Sequence, residues 1–219
     1  MSTVRLSLPL SLRVPLSALL CAGVLGGCSL IGPKRGDEVV QYAPDPRVAA
    51  EASWPTVPWQ LSVTSPVAAR AIDSLRIAVR PNPAELQVYK GASWAKRPTD
   101  MVEDALLRTL EDSGKIPAVA RQGSGISADY KLVLDVRRFE ADYAGAAVPA
   151  ATIELNAKLL HAQDQQVVAA RTFRQAQPAT STAVPDVVAA FDQALAQSTR
   201  ELAGWVLTAG DAHERSGKH

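Results

Sequence analysis

Few side chains in this sequence are of types that do chemistry. The 219 residues include two cysteines and three histidines. His161 falls beside a turn, and His213 and His219 lie near the end of the chain. No pair of them has metal-ligand spacing, so neither a metal site nor a cofactor is expected. Gly123-Ser124-Gly125 resembles a fragment of a nucleophile loop but lacks the Gly-x-Ser-x-Gly spacing, and it reads as a flexible turn. The acidic pairs Glu103-Asp104 and Glu111-Asp112 fall on what reads as the solvated face of a helix. No Gly-rich phosphate loop is present, no catalytic residue stands out, and the protein is expected not to be an enzyme. One reactive side chain remains. Cys28 follows Leu25-Gly26-Gly27. Small residues let a chain lie extended in a peptidase groove, and the thiol is a nucleophile able to take a diacylglycerol.

The residues before Cys28 fit that chemistry. Arg5 and Arg13 are the only charges ahead of Lys34, and an apolar stretch runs from Val14 to Val24. A short apolar segment behind a weakly basic start is the layout of a secretory signal. It is too short to span a bilayer, which needs about 20 apolar residues. A signal ending in Leu-Gly-Gly-Cys resembles the bacterial lipobox, so residues 1–27 are expected to be removed and Cys28 lipidated. The competing reading is an ordinary secretory signal with an unrelated cysteine. Ser29, in place of an aspartate, points to the periplasmic face of the outer membrane rather than retention at the inner one. Cys21 would leave with the signal, so the mature protein has neither free thiol nor disulfide and depends on packing alone. Losing Arg5 and Arg13 takes the basic count from 23 to 21 against 22 acidic residues, a net charge of −1. A near-neutral chain argues against nucleic acid as a partner.

The rest divides by pattern. Residues 28–57, rich in proline, read as a lipidated tether with an early strand at Val39–Tyr42. A folded domain is expected over 58–209 and a disordered tail over 210–219. Within the domain, strands are predicted by alternation at Trp59–Thr64, Leu75–Arg80 and Leu86–Tyr89, with Gly91 opening a loop. A helix starts at Asp100, capped by that residue with Glu103 reaching back, and stops at Gly114. A short strand over Pro117–Ala120 precedes a clear stripe, Tyr130, Leu132, Leu134 and Val136, broken by a bulge at Arg137-Arg138. Strands at Ile153–Leu159 and Val167–Phe173 flank a turn at Gln163-Asp164-Gln165. A long helix begins near Val184, with Val187, Phe191, Leu195, Leu202, Trp205 and Val206 on one face, and ends at Gly210. The order is strands, helix, strands, helix. It predicts an α/β domain of the α+β type, whose mostly antiparallel sheet packs two helices on one face.

Several segments together resemble a known family. Tyr89, with Trp94-Ala95-Lys96-Arg97-Pro98 leading into a helix, is similar to the W-A-x-x-P segment of the ABC-type transport auxiliary lipoproteins, the family of paraquat-inducible protein C. Leu110-Glu111-Asp112-Ser113-Gly114, Ala128-Asp129-Tyr130-Lys131-Leu132 and Phe139-Glu140 resemble later motifs in the same order. So do Phe191–Ala194 and Glu201–Val206 in the closing helix. Between Tyr89 and Trp94 this chain has fewer tyrosines than the family often has. On the residues' own account Trp94 and Pro98 dock a loop and aim the helix, while Tyr130 and Trp205 fill the core.

The resemblance implies an accessory lipoprotein held to the membrane by its lipid. It would serve a transport system with a cytoplasmic ATPase, a permease and a periplasmic MCE-type protein, moving lipid or another hydrophobic solute between the membranes. It also implies a possible ring of identical subunits. A stand-alone envelope scaffold, and a hydrolase whose site the sequence does not display, are the other readings. The segment from Asp142 to Ala151 is expected to be an exposed loop with one charge and mostly small apolar residues. Tyr143, Ala146 and Val148 are its candidate partner-binding residues. The alternative is a hairpin end tucked against its own domain.

Overall fold

The structure, a computed structural model, describes residues 38–217. Cys28 and the signal segment 1–27 lie outside the described residues. In chain order the elements are β1 (Val40–Tyr42), β2 (Leu61–Val63), β3 (Val67–Ala68), β4 (Arg76–Arg80), β5 (Gln87–Trp94), α1 (Pro98–Ser113), β6 (Val119–Arg121), β7 (Tyr130–Asp142), β8 (Ala150–His161), β9 (Val167–Pro178) and α2 (Val184–Arg215). All nine strands belong to one sheet, and both helices pack on it and on each other.

Strand β7 is the spine. One of its edges pairs antiparallel with β8 from Tyr130 opposite His161 to Asp142 opposite Ala150, and β8 pairs antiparallel with β9. The other edge is shared by three short parallel strands. β2 lies at Tyr130–Leu132, β3 at Asp135–Val136 and β4 at Ala141–Asp142. Farther out, β6 runs parallel to β2, β5 antiparallel to β4, and β1 parallel to β5. The sheet is therefore mixed, not mostly antiparallel as the sequence reading predicts. Alternation tells which residues face a core but not which strands are neighbours. Here the chain leaves β4, passes through β5, α1 and β6, and returns beside β4 in β7; such a crossover makes the pair parallel.

Features with a local cause match their sequence signals. The alternation in β7 slips between Val136 and Arg138, which lets the inward stripe resume at Phe139. Gly114 caps α1 in the left-handed conformation, with φ 62°. Two local readings need correction. β5 does not stop before Gly91 but runs through it with φ 67°, and pairing with β4 jumps from Arg76 opposite Ser93 to Ala78 opposite Val88. Glycine tolerates that irregularity without steric cost. The helix start is also not an Asp100–Glu103 box. Pro98 occupies the first turn, and Asp73 reaches in from a distant loop, its Oδ1 accepting the Thr99 hydroxyl at 2.8 Å and the Thr99 N–H at 3.4 Å. Glu103 is not on a solvated face. It is buried beside Arg121, and burial pushes its carboxyl up against the opposing pull of that guanidinium.

Two expected boundaries move outward. Residues 43–57, assigned above to the tether, pack on the domain, with Val48, Trp54 and Val57 buried in the common core. Gly210 does not end α2, which continues to Arg215 and takes in part of the expected tail. Glycines in α2 accompany both corrections. A Cβ at Gly204 would lie 2.6 Å from Nε1 of Trp54, and one at Gly210 would lie 2.3 Å from Cζ2 of Trp59. The glycines are notches in α2 that admit two indole rings from the upstream segment. At the other end of α2, Phe191 stacks on Phe139 with centroids 5.0 Å apart and meets the edge of Trp94 at 5.1 Å.

Candidate functional site

Strand β7 delivers its last residues to a loop, Tyr143–Pro149, and the charged groups beside that loop come from two strands, β4 and β7. The Glu140 side chain is 1% exposed. Arg80, on β4, donates from Nε at 2.8 Å and from Nη2 at 3.0 Å to its two oxygens, a bidentate pair. Arg138 donates from Nε to the same carboxylate at 2.7 Å and from Nη2 to Asp142 at 2.7 Å. Burial tends to raise the Glu140 carboxyl, but the hydrogen bonds and charges of Arg80 and Arg138 outweigh it, and the group sits below its ordinary value.

This cluster fixes the loop's base. Asp142 Oδ1 accepts the Ala144 N–H at 3.0 Å, and the Tyr143 N–H donates to the Arg80 carbonyl at 3.1 Å. The Ala146 N–H then closes the turn on the Tyr143 carbonyl at 2.7 Å. Ala144 and Gly145 have φ of 47° and 84°, both positive, as in a type I′ turn. An alanine there is strained, and the bonds on either side hold it.

Of the three candidate partner-binding residues, Ala146 is exposed, and Tyr143 and Val148 are half-buried. Ala144–Ala147 form the exposed crest, and no residue from Tyr143 to Pro149 is charged. Tyr143 leans on the core, with Tyr89 beside it. The Tyr89 hydroxyl is buried without a well-formed hydrogen bond, and burial first, then the neighbouring phenol, pushes it up to about 12. The tyrosine pair and the Arg80–Glu140–Arg138 cluster were missed in the sequence. Tyr89 and Tyr143 stand out singly but not as a pair, and the cluster's signal is the alternation that places Arg138, Glu140 and Asp142 on one side of a strand beyond its bulge.

The residues assigned to a structural role are placed as follows. Trp94, Pro98 and Tyr130 are buried, and Trp205 is half-buried with its ring at 5.6 Å from Phe173. Tyr130 lies at the opposite end of β7 in a second polar cluster. Its hydroxyl donates to Glu214 Oε1 at 2.7 Å and lies 2.8 Å from His213 Nδ1. The His213 ring is 5.5 Å from that of His161, which pairs with Asp164 at 3.1 Å. Among the described residues no group of three or more His, Cys, Asp or Glu is placed to hold a metal ion. No helix among them is long and apolar enough to cross a membrane. The arrangement displays a stiff, uncharged loop on a charged base.

Comparison with known proteins gives this architecture relatives. The crystal structure of protein XCC0632 from Xanthomonas campestris shares 59% identity and a TM-score of 0.79, covering 81% of this chain and 99% of that one. Another crystal structure, of an uncharacterized protein, is alike in fold alone, at 16% identity and a TM-score of 0.55 over 73% of this chain and 97% of that one. An uncharacterized protein of Bradyrhizobium diazoefficiens is 27% identical over 157 residues, 70% of this chain, and the chain spans 41% of that curated relative's length. The model of one family matches residues 41–203, from within β1 to the middle of α2. On that match, the chain belongs to the ABC-type transport auxiliary lipoprotein component family.

Proposed function

We propose that this chain is a lipoprotein anchored through Cys28 to the periplasmic face of the outer membrane, and that it serves its transport system by docking rather than by catalysis. The observation that carries this reading is the family match over 41–203, which begins a short stretch after Leu25-Gly26-Gly27-Cys28. In this reading the partners are a periplasmic MCE-type protein with its permease and ATPase, and a second copy of the chain in a ring. The cargo is lipid or another hydrophobic solute.

The docking element is the loop from Tyr143 to Val148. It offers small apolar groups on a backbone already ordered by Asp142, Tyr143 and the paired arginines, so little conformational freedom is lost on binding. A photo-crosslinker at Ala146 tests it in living cells. Adducts to an MCE-type protein or to a second copy are expected. Their clean absence, with the protein folded and at the outer membrane, removes the loop from the reading. The anchor is tested separately. Cys28→Ala should neither take up labelled palmitate nor fractionate with membranes, and a variant that still does both overturns lipidation at this residue.

A further inference from the structure

Strand β1 stands where the described chain begins, at an outer edge of the sheet with β5 as its neighbour. Residues opposite one another on paired strands share a face. Tyr42 lies opposite Trp94 on the core side, so Gln41 turns to the other face with Ser93, and Ser93 pairs with Arg76. Val39 continues that outer side by alternation. Before the irregularity at Gly91, Tyr89 packs inward, which turns Val88 and Lys90 outward. This corner therefore presents Val39, 55% exposed, and Val88, 38% exposed, with the exposed cations Arg76 and Lys90. The strands β1, β4 and β5 contain no acidic residue. Of the nearby acids, Glu38 precedes β1, and Glu85 is engaged by Asn82 and Gln87.

The chain outside the structure sets where this corner sits. Val40 is 12 residues from Cys28, a stretch that can reach at most about 40 Å. A domain of this size has a radius of gyration of about 16 Å. A tether that short keeps the corner it enters close to the bilayer, where a high effective concentration lets even a weak contact form. Cations flanked by exposed valines suit a surface of anionic headgroups over acyl chains.

We propose that the β1–β5–β4 corner, through Val39, Val88, Arg76 and Lys90, seats the domain on the anionic phospholipid surface that holds its anchor. The proposal rests on lipidation at Cys28. The test uses the full lipidated chain in vesicles of phosphatidylethanolamine and phosphatidylglycerol. A nitroxide is placed at Val88→Cys or, as reference, at Arg174→Cys on β9. Position 88 should show a several-fold higher ratio of oxygen to aqueous nickel-chelate accessibility than position 174. Raised salt, or Arg76→Glu with Lys90→Glu, should bring the two together while thermal melting is unchanged. Equal ratios at 88 and 174 in protein that floats with the vesicles overturn the seating but leave the anchor standing. Protein that neither floats nor carries palmitate overturns the anchor and the seating with it. A label at 88 shielded from both probes as protein density rises marks a second copy on this face and also overturns the lipid assignment.

Discussion

The two ends of β7 solve the burial of a polar group in opposite ways. At the Asp142 end a carboxylate is buried with its charge. Glu140 keeps that charge because two guanidiniums, one from β4 and one from β7 itself, replace the water it has lost. At the Tyr130 end the buried group is neutral. Burial pushes the Tyr130 phenol up, and its hydrogen bond to Glu214 pushes it the same way, so it stays a donor. A buried ion needs opposite charges held in fixed places, and that requirement ties neighbouring segments together. A buried hydroxyl needs one acceptor, and a residue in the last turn of α2 supplies it. The end with the tighter electrostatic demand is the one that leads into the uncharged Tyr143–Pro149 loop.

Glu140→Gln tests this contrast with the largest expected effect. The substitution leaves Arg80 and Arg138 facing a neutral amide and should cost roughly 3 kcal/mol, somewhat less if the partly exposed guanidiniums recover water. Urea denaturation at pH 7 measures it. The folded carboxyl titrates below its ordinary value of 4.5, so its contribution is complete above that pH and is lost as the pH falls through the folded value. The parent should therefore lose stability more steeply than Glu140→Gln below about pH 4.5. Equal stability and equal acid slopes would mean that the charge cluster contributes nothing.

A smaller effect is expected at the other end. Gly210→Ala sets a methyl against Trp59, whose ring is already held at 4.8 Å from Tyr130 and has little room to retreat. Overpacking costs roughly 1–3 kcal/mol, and the better helix propensity of alanine returns about 1 kcal/mol of it. The net loss should appear as a lower Tm. No change would show that the indole shifts freely and that the notch is not required. Tyr130→Phe should cost less than Glu140→Gln, about 1.5 kcal/mol for the lost hydrogen bond to the Glu214 carboxylate, read in the same urea denaturation. A loss as large as that of Glu140→Gln would erase the distinction between the two ends.

What the sequence determined by itself is what depends on a few neighbouring residues. The inward stripe of β7, its bulge at Arg137-Arg138, the stop at Gly114 and the turn at Gln163–Gln165 follow from side-chain period and local backbone preference, and they were legible. The order strands, helix, strands, helix followed too, whereas β3, two residues long, is too short to show a period. The Asp142–Ala151 segment was legible as a loop between two alternating runs, but not the left-handed Ala144, which depends on Asp142 and on the closure of Tyr143 with Ala146. The remaining features come from contacts between segments distant in the chain. Parallel pairing of β2, β3 and β4 along one edge of β7 depends on where the chain returns after α1, which no local pattern encodes. Asp73 capping α1, and Arg80 meeting Glu140 across 60 positions, are partnerships between side chains far apart in sequence. Gly210 is the clearest case. In sequence a glycine after an apolar stripe reads as a helix end, whereas here it leaves the space that the ring of Trp59 occupies, and the helix runs on past it.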